Sequence, residues 1–134
     1  MLKIVAGFLF DYDTFLIGQR KSDNKSYPEY WELPGGKVDD IDKHEDDSIK
    51  REWLEELGIG VFIWHRLPTR IINDIEVIPY MLKYESGKAV MNEHKSIKFV
   101  KFSEIKHYKL TPISKEIIHI VKRSYNIFIK PKPE

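Results

Sequence analysis

The stretch "GGKVDDIDKHEDDSIKREWLEELGI", residues 35–59, crowds acidic side chains between a double glycine and a single one, in a chain that is otherwise electrically balanced. Its second half reads as a helix over 45–57. Glu45, Asp46 and Asp47 fill the first turn and complement the helix dipole, His44 stands as a substitute cap, and Gly58 marks the C-terminal stop. At about 100° per residue, Glu52, Glu55 and Glu56 fall within one arc of roughly 100°. Ile49, Trp53, Leu54 and Leu57 occupy another, the expected core face. Three carboxylates so close repel one another unless cations or protons intervene. A helix shaped for solubility alone would set lysines at i+4, whereas Lys50 and Arg51 lie to one side. Hard oxygen donors grouped in this way suit Mg²⁺ or Mn²⁺. A solvated, charged helix face suits the same pattern, and the helix alone leaves both readings open.

Outward from that helix, 134 residues suit one domain, taken as 1–130 with 131–134 as a frayed tail. Basic residues number 22 against 21 acidic, which gives no footing for a nucleic-acid polymer as partner. No run approaches the ~20 apolar residues that span a bilayer. "MLKIVAGFLF" is too short for a signal peptide and lacks its small-residue cleavage site. The absence of cysteine excludes disulfides and thiolate chemistry. The expectation is a cytoplasmic protein without membrane association, and no protein partner is evident.

"LKIVAGFLF" and "FLIGQR" read as a hairpin about the turn "DYDT", and "KSDNKSYPEY" as a surface loop. "WELPGG" is a short extended piece. "GVFIWHRLPTRII" and "IEVIPYMLKY" are β-branched and aromatic, hence two strands with "ND" as the turn between them. "ESGKAVMNEHKS" reads as a loop and "IKFVKF" as a strand. "TPISKEIIHIVKRSYNIF" opens with Thr111 as a cap and Pro112 at the first helical position, then carries apolar residues at helical spacing. Several strands with two helices far apart in sequence indicate an α+β fold with helices on a mixed sheet.

Residues 35–59 resemble the Nudix box, G-x5-E-x7-R-E-U-x-E-E-x-G-U, in which U is aliphatic or bulky and apolar. Arg51, Glu52, Trp53, Glu55, Glu56, Gly58 and Ile59 match its second half, with Trp53 an unusual U. The first half departs from the pattern. Asp42 stands where the first glutamate is due, and fourteen residues separate Gly36 from Arg51 where the family has thirteen. Counting back from Arg51 puts Lys43 at that place instead. The expectation is a one-residue bulge in "DDIDKH", with Asp42 capping or bracing the helix. The order of elements is similar to the MutT-like branch, which implies an α/β/α sandwich: a mixed sheet, the box helix on one side and the C-terminal helix on the other.

The resemblance implies Mg²⁺-dependent hydrolysis, with Mn²⁺ as a substitute, of (deoxy)nucleoside triphosphates to nucleoside monophosphate and pyrophosphate, of the 8-oxo-dGTP or CTP type. Other X-linked nucleoside diphosphates, such as ADP-ribose or dinucleotide polyphosphates, and a non-catalytic nucleotide-binding module are the alternatives. It assigns Glu52, Glu55 and Glu56 to metal binding or to orienting water, Glu93 of "NEHK" to the same site, and the Gly35 carbonyl to the metal shell. Arg51 would hold the glutamates in place. Arg20, with Lys21 competing, and Lys37 are the phosphate-binding candidates. Tyr80, Ile78 and Ser114 are the candidates for the base pocket; alternate residues on a central strand suit a core as well, and Ser114 also suits a plain first-turn residue. His94 would orient Glu93. His65 and His119 read as packed or surface residues, and Trp31 and Tyr108 as packing.

Overall fold

In the computed structural model, which describes residues 1–125 and 133, the N-terminal apolar runs become strands β1 (Lys3–Asp11) and β2 (Thr14–Arg20). They pair only at the hairpin tip, Phe10 opposite Phe15 and Asp11 opposite Thr14. Lower on the same edge, β1 pairs instead with β4 (Gly35–Lys37), while β3 (Trp31–Glu32) pairs with β2. The other edge of β1 lies parallel to β7 (Ile75–Ser86) from Lys3 opposite Glu76 to Leu9 opposite Leu82. Strands β5 (Gly60–Arg66) and β6 (Arg70–Ile72) run antiparallel along β7, and β8 (His94–Lys101) along β2. Among the described residues this makes one mixed sheet of eight strands.

Two elements differ from the expected strands. The run 60–72 breaks at residues 67–69, where Pro68 interrupts it and Leu67 N–H donates to the Pro79 carbonyl at 2.9 Å. β8 begins at His94 rather than Ile97, because Arg20 and Gln19 of β2 supply partners for His94 and Ser96. Backbone pairing thus outweighs a polar composition. The "ND" turn is present, with Asn73 and Asp74 both at positive φ, as a tight two-residue hairpin requires.

The sheet has two apolar faces, and a helix covers each. On β1, Val5 and Leu9 belong to one cluster and Ala6 and Phe8 to the other, as strand alternation dictates. Helix α1 (Glu45–Leu57) sets Ile49, Trp53 and Leu57 into the first cluster. Helix α2 (Pro112–Tyr125) sets Ile117, Ile118 and Val121 into the second, below a 3-10 segment, Phe102–His107. Each large side chain buried in this way contributes about 1.5–3 kcal/mol. The architecture is the expected α/β/α sandwich. Pro112 opens α2 as read; the expected continuation of that helix past Tyr125 and, apart from Pro133, the tail 131–134 lie outside the described residues. Among the described residues no helix is long and apolar enough to cross a membrane.

Candidate active site

Helix α1 starts and stops where its sequence says. His44 Nδ1 accepts from the Asp46 N–H at 3.1 Å, and Gly58 closes the helix at φ 67°. The core face is narrower than expected. Ile49, Trp53 and Leu57 are fully buried, but Leu54 is 59% exposed, since it stands about 100° on from Trp53 and off the sheet. Glu56 takes the place beside Ile49 instead and is 7% exposed. Trp53 fits because Gly7 faces it: a Cβ on Gly7 would come within 2.9 Å of the indole nitrogen. That nitrogen donates to the Pro34 carbonyl at 3.1 Å, which pins the helix to the glycine loop.

Asp42, not Lys43, fills the irregular position. Its carboxylate accepts from Arg51 Nε at 3.0 Å and Nη2 at 2.9 Å, and from Ser48 Oγ at 2.7 Å. The paired guanidinium holds Asp42 well below the usual carboxylate range, while Asp42 in turn raises Arg51. Lys43 is exposed. Although Lys50 and Arg51 lie to one side of the acidic arc, the Arg51 side chain reaches across it. Its Nη1 donates to Glu52 Oε1 at 3.0 Å and to Glu55 Oε2 at 3.1 Å.

The glycines give close approach. A Cβ on Gly36 would lie 2.6 Å from the Glu52 carboxyl carbon, and one on Gly35 would collide with the Val5 carbonyl of β1. Gly35, Gly36, Glu52, Glu55, Glu56 and Glu93 therefore line a single cleft of about 530 Å³. Arg20 and Ser114 line it too, together with Asn24, Ser26 and Tyr27 of the 21–30 loop. Glu93 is brought there by its neighbour: Asn92 donates from its backbone N–H to the Glu56 carbonyl at 3.1 Å and from Nδ2 to the Glu55 carbonyl at 2.9 Å. These carbonyls belong to the last turn of α1, which has no intrahelical donor for them.

Burial first, then a hydrogen bond and negative charge from Glu52, then the charges of Glu32 and Glu93, raise Glu56 far above the ordinary carboxylate range. Its Oε2 is buried without a hydrogen-bond partner among the described residues. An orphaned carboxylate oxygen amid negative charge, in a cleft lined by further carboxylates, fits a hard divalent cation.

Other expectations are corrected by position. Tyr80 is outside the cleft lining: it is fully buried under α1, its hydroxyl donating to Asp46 Oδ1 at 2.7 Å, and Ile78 packs in the same cluster. Strand alternation fixed which residues share a face, but not which of them line the cleft. Lys37 is exposed at the end of β4, outside the cleft lining; its carbonyl accepts from Arg51 Nη2 at 3.3 Å. Ser114 Oγ is already engaged, accepting from the Leu33 N–H at 2.9 Å. His94 has Glu32 and Glu56 as its close partners. It is 2% exposed, with Nε2 2.9 Å from Glu32 Oε2 and 3.8 Å from Glu56 Oε1. Glu32, which sequence reasoning passed over, has one donor atom within 4.8 Å of those of Glu56 and His94. Its signal was a lone acid between two apolar residues, Trp31 and Leu33, just ahead of Pro34 and the glycines.

The family model described as NUDIX domain matches residues 2–120. No curated protein matches the sequence. Among solved structures, a MutT from work on Aliivibrio salmonicida and Vibrio cholerae is 22% identical, covering 92% of this chain and 98% of its own, with a TM-score of 0.73. The ORF135 protein of E. coli is 22% identical over 93% of each chain, at a TM-score of 0.69. An ADP-ribose pyrophosphatase of Streptococcus suis is 18% identical over 92% of this chain and 93% of its own, at 0.70. At such identities the structural likeness speaks for the fold.

Proposed function

The chain belongs to the NUDIX family, and from that premise we propose that it hydrolyses (deoxy)nucleoside triphosphates, with Mg²⁺, to a nucleoside monophosphate and pyrophosphate. The observation that carries this reading is the buried, unpartnered Glu56 oxygen in a cleft shared with Glu52, Glu55, Glu93 and the glycine loop. Glu52, Glu55, Glu56, Glu93 and the Gly35 carbonyl would hold the ion. When bound, a divalent ion neutralises phosphate oxygens and lowers the pKa of bound water.

The chain's own residues do the rest. Arg51 keeps Glu52 and Glu55 in place and is itself fixed by Asp42. Charge-assisted bonds of this kind hold carboxylates that would otherwise repel one another. The cleft volume lies within the range of small-ligand sites, about 300–1,000 Å³. Asn24 and Ser26 supply amide and hydroxyl groups for the nucleoside end, of the kind that an oxidised guanine or a cytosine edge engages.

The test is product analysis. Purified protein with Mg²⁺ is incubated with the common and 8-oxo triphosphates, ADP-ribose and dinucleotide polyphosphates. Pyrophosphate with a monophosphate is the expected outcome. AMP with ribose phosphate as the preferred products, or binding without turnover across the panel, would overturn the substrate class.

A further inference from the structure

Glu32 is the centre of a polar chain that the reaction described above leaves unused. It stands on β3 opposite Gly18 of β2, between buried Trp31 and Leu33. Its Oε1 accepts from Arg20 Nη1 at 2.9 Å, and its Oε2 meets His94 Nε2 at 2.9 Å. The same imidazole nitrogen lies 3.8 Å from Glu56 Oε1, so one ring faces two carboxylates. The ring has room only because residue 18 is glycine: a Cβ there would lie 2.6 Å from His94 Cδ2 and 2.8 Å from Nε2. At the other end, Arg20 donates from Nε to the Ser26 carbonyl at 2.9 Å and from Nη2 to Asn24 Oδ1 at 2.8 Å. Asn24 and Ser26 line the same cleft as the glutamates of the acidic helix.

We propose that Glu32 is a positioning residue that ties the two sides of the cleft together, fixing Glu56 through His94 and the 21–30 loop through Arg20. The assignment rests on the reading of Glu56 as a metal-holding residue. It also revises the part of Arg20. Three of its nitrogens are committed to protein acceptors, so its main work is to brace the loop rather than to meet a phosphate. Partners that orient a metal-holding side chain in this way change metal affinity about 10- to 100-fold when they are removed. Glu32 is suited to the task because a carboxylate offers two oxygens at once, one to each neighbour.

The experiment is a titration of Mn²⁺ against the protein without nucleotide, followed by electron paramagnetic resonance, for the wild type, Glu32→Ala, Glu32→Gln and Gly18→Ala. Glu32→Ala is expected to weaken Mn²⁺ binding about tenfold. Glu32→Gln, which keeps one accepting oxygen and carries the test should the alanine variant not fold, is expected to fall between it and the wild type. Gly18→Ala displaces the ring and should reproduce the loss without altering any charge. Binding of a non-hydrolysable α,β-methylene triphosphate should weaken in Glu32→Ala as well. Thermal unfolding confirms that each variant is folded at the assay temperature. Wild-type Mn²⁺ affinity in folded Glu32 variants would overturn the assignment. If the wild type cleaves no triphosphate yet Mn²⁺ affinity falls as stated, the substrate reading fails and the positioning role stands.

Discussion

The Asn92 side-chain amide donates to the Glu55 carbonyl at 2.9 Å, while its backbone N–H bonds the Glu56 carbonyl, so a loop residue closes the last turn of the acidic helix. Because Glu93 follows directly, the end of α1 also sets the entry of Glu93 into the cleft. Asn92→Ala should cost about 1 kcal/mol of stability, the net worth of one hydrogen bond. It should also weaken Mn²⁺ binding. Urea unfolding and Mn²⁺ titration check the two effects, and a loss of stability with unchanged affinity would show that Glu93 is placed by other means.

Asp42 and Arg51 make a pH-dependent brace. The Arg51 guanidinium lowers Asp42 in the folded state, so the contribution of the pair is fully present above the ordinary carboxylate pKa of about 3.9. It is lost as pH falls from there toward the depressed folded value. Asp42→Asn should therefore be less stable than the wild type at neutral pH, and the gap should close progressively below about pH 4. Lys43→Ala should show no such gap. Thermal melts across pH 2.5–7 would measure it.

Glu56 has the opposite sign. Its folded-state pKa is raised by burial, so without metal the folded protein holds a proton that the unfolded chain releases above about pH 4.5. Stability of the metal-free wild type should fall as pH rises from there, and Glu56→Gln should gain on it. Metal must displace that proton, so Mn²⁺ affinity should rise with pH and its binding should release a proton. Calorimetry in buffers of different ionisation enthalpy reads the proton directly. Turnover of Glu56→Gln should fall by more than about 100-fold, because the change removes a charged oxygen that would hold the ion rather than a partner that only orients one.

Tyr80 tests the correction to the base pocket. Tyr80→Phe removes the hydroxyl that bonds Asp46 in the first turn of α1. It should lower stability by about 1 kcal/mol and leave kcat/KM within about twofold of the wild type. A selective rise in KM for one base would return Tyr80 to the cleft.

These residues show what a linear reading reaches. The bounds of α1 were legible because local chemistry writes them: acids in the first turn, His44 at the cap, Gly58 in left-handed backbone. The Glu52–Glu56 arc followed from helical periodicity. Asp42 could be anticipated as a brace, yet only the fold decides between it and Lys43, because a bulge shifts the count by one. Glu32 and Asn92 stayed hidden, and His94 was matched to Glu93 rather than to Glu32, for another reason. Glu32 lies in a two-residue strand, Asn92 in a loop and His94 at the first position of β8, and each acts through a partner at least 36 residues away: Glu32 with His94, and Asn92 with Glu55 and Glu56. Leu54 and Tyr80 went astray where periodicity gives parity but not which side faces the sheet or the cleft.

The most direct measurement of the central claim is the anomalous scattering of Mn²⁺ in crystals grown with a non-hydrolysable nucleoside triphosphate. The account predicts a peak in contact with the carboxylates of Glu52 and Glu56 and the Gly35 carbonyl, with the triphosphate bound against it. Bound nucleotide with no manganese at that face, or manganese held elsewhere, would contradict it.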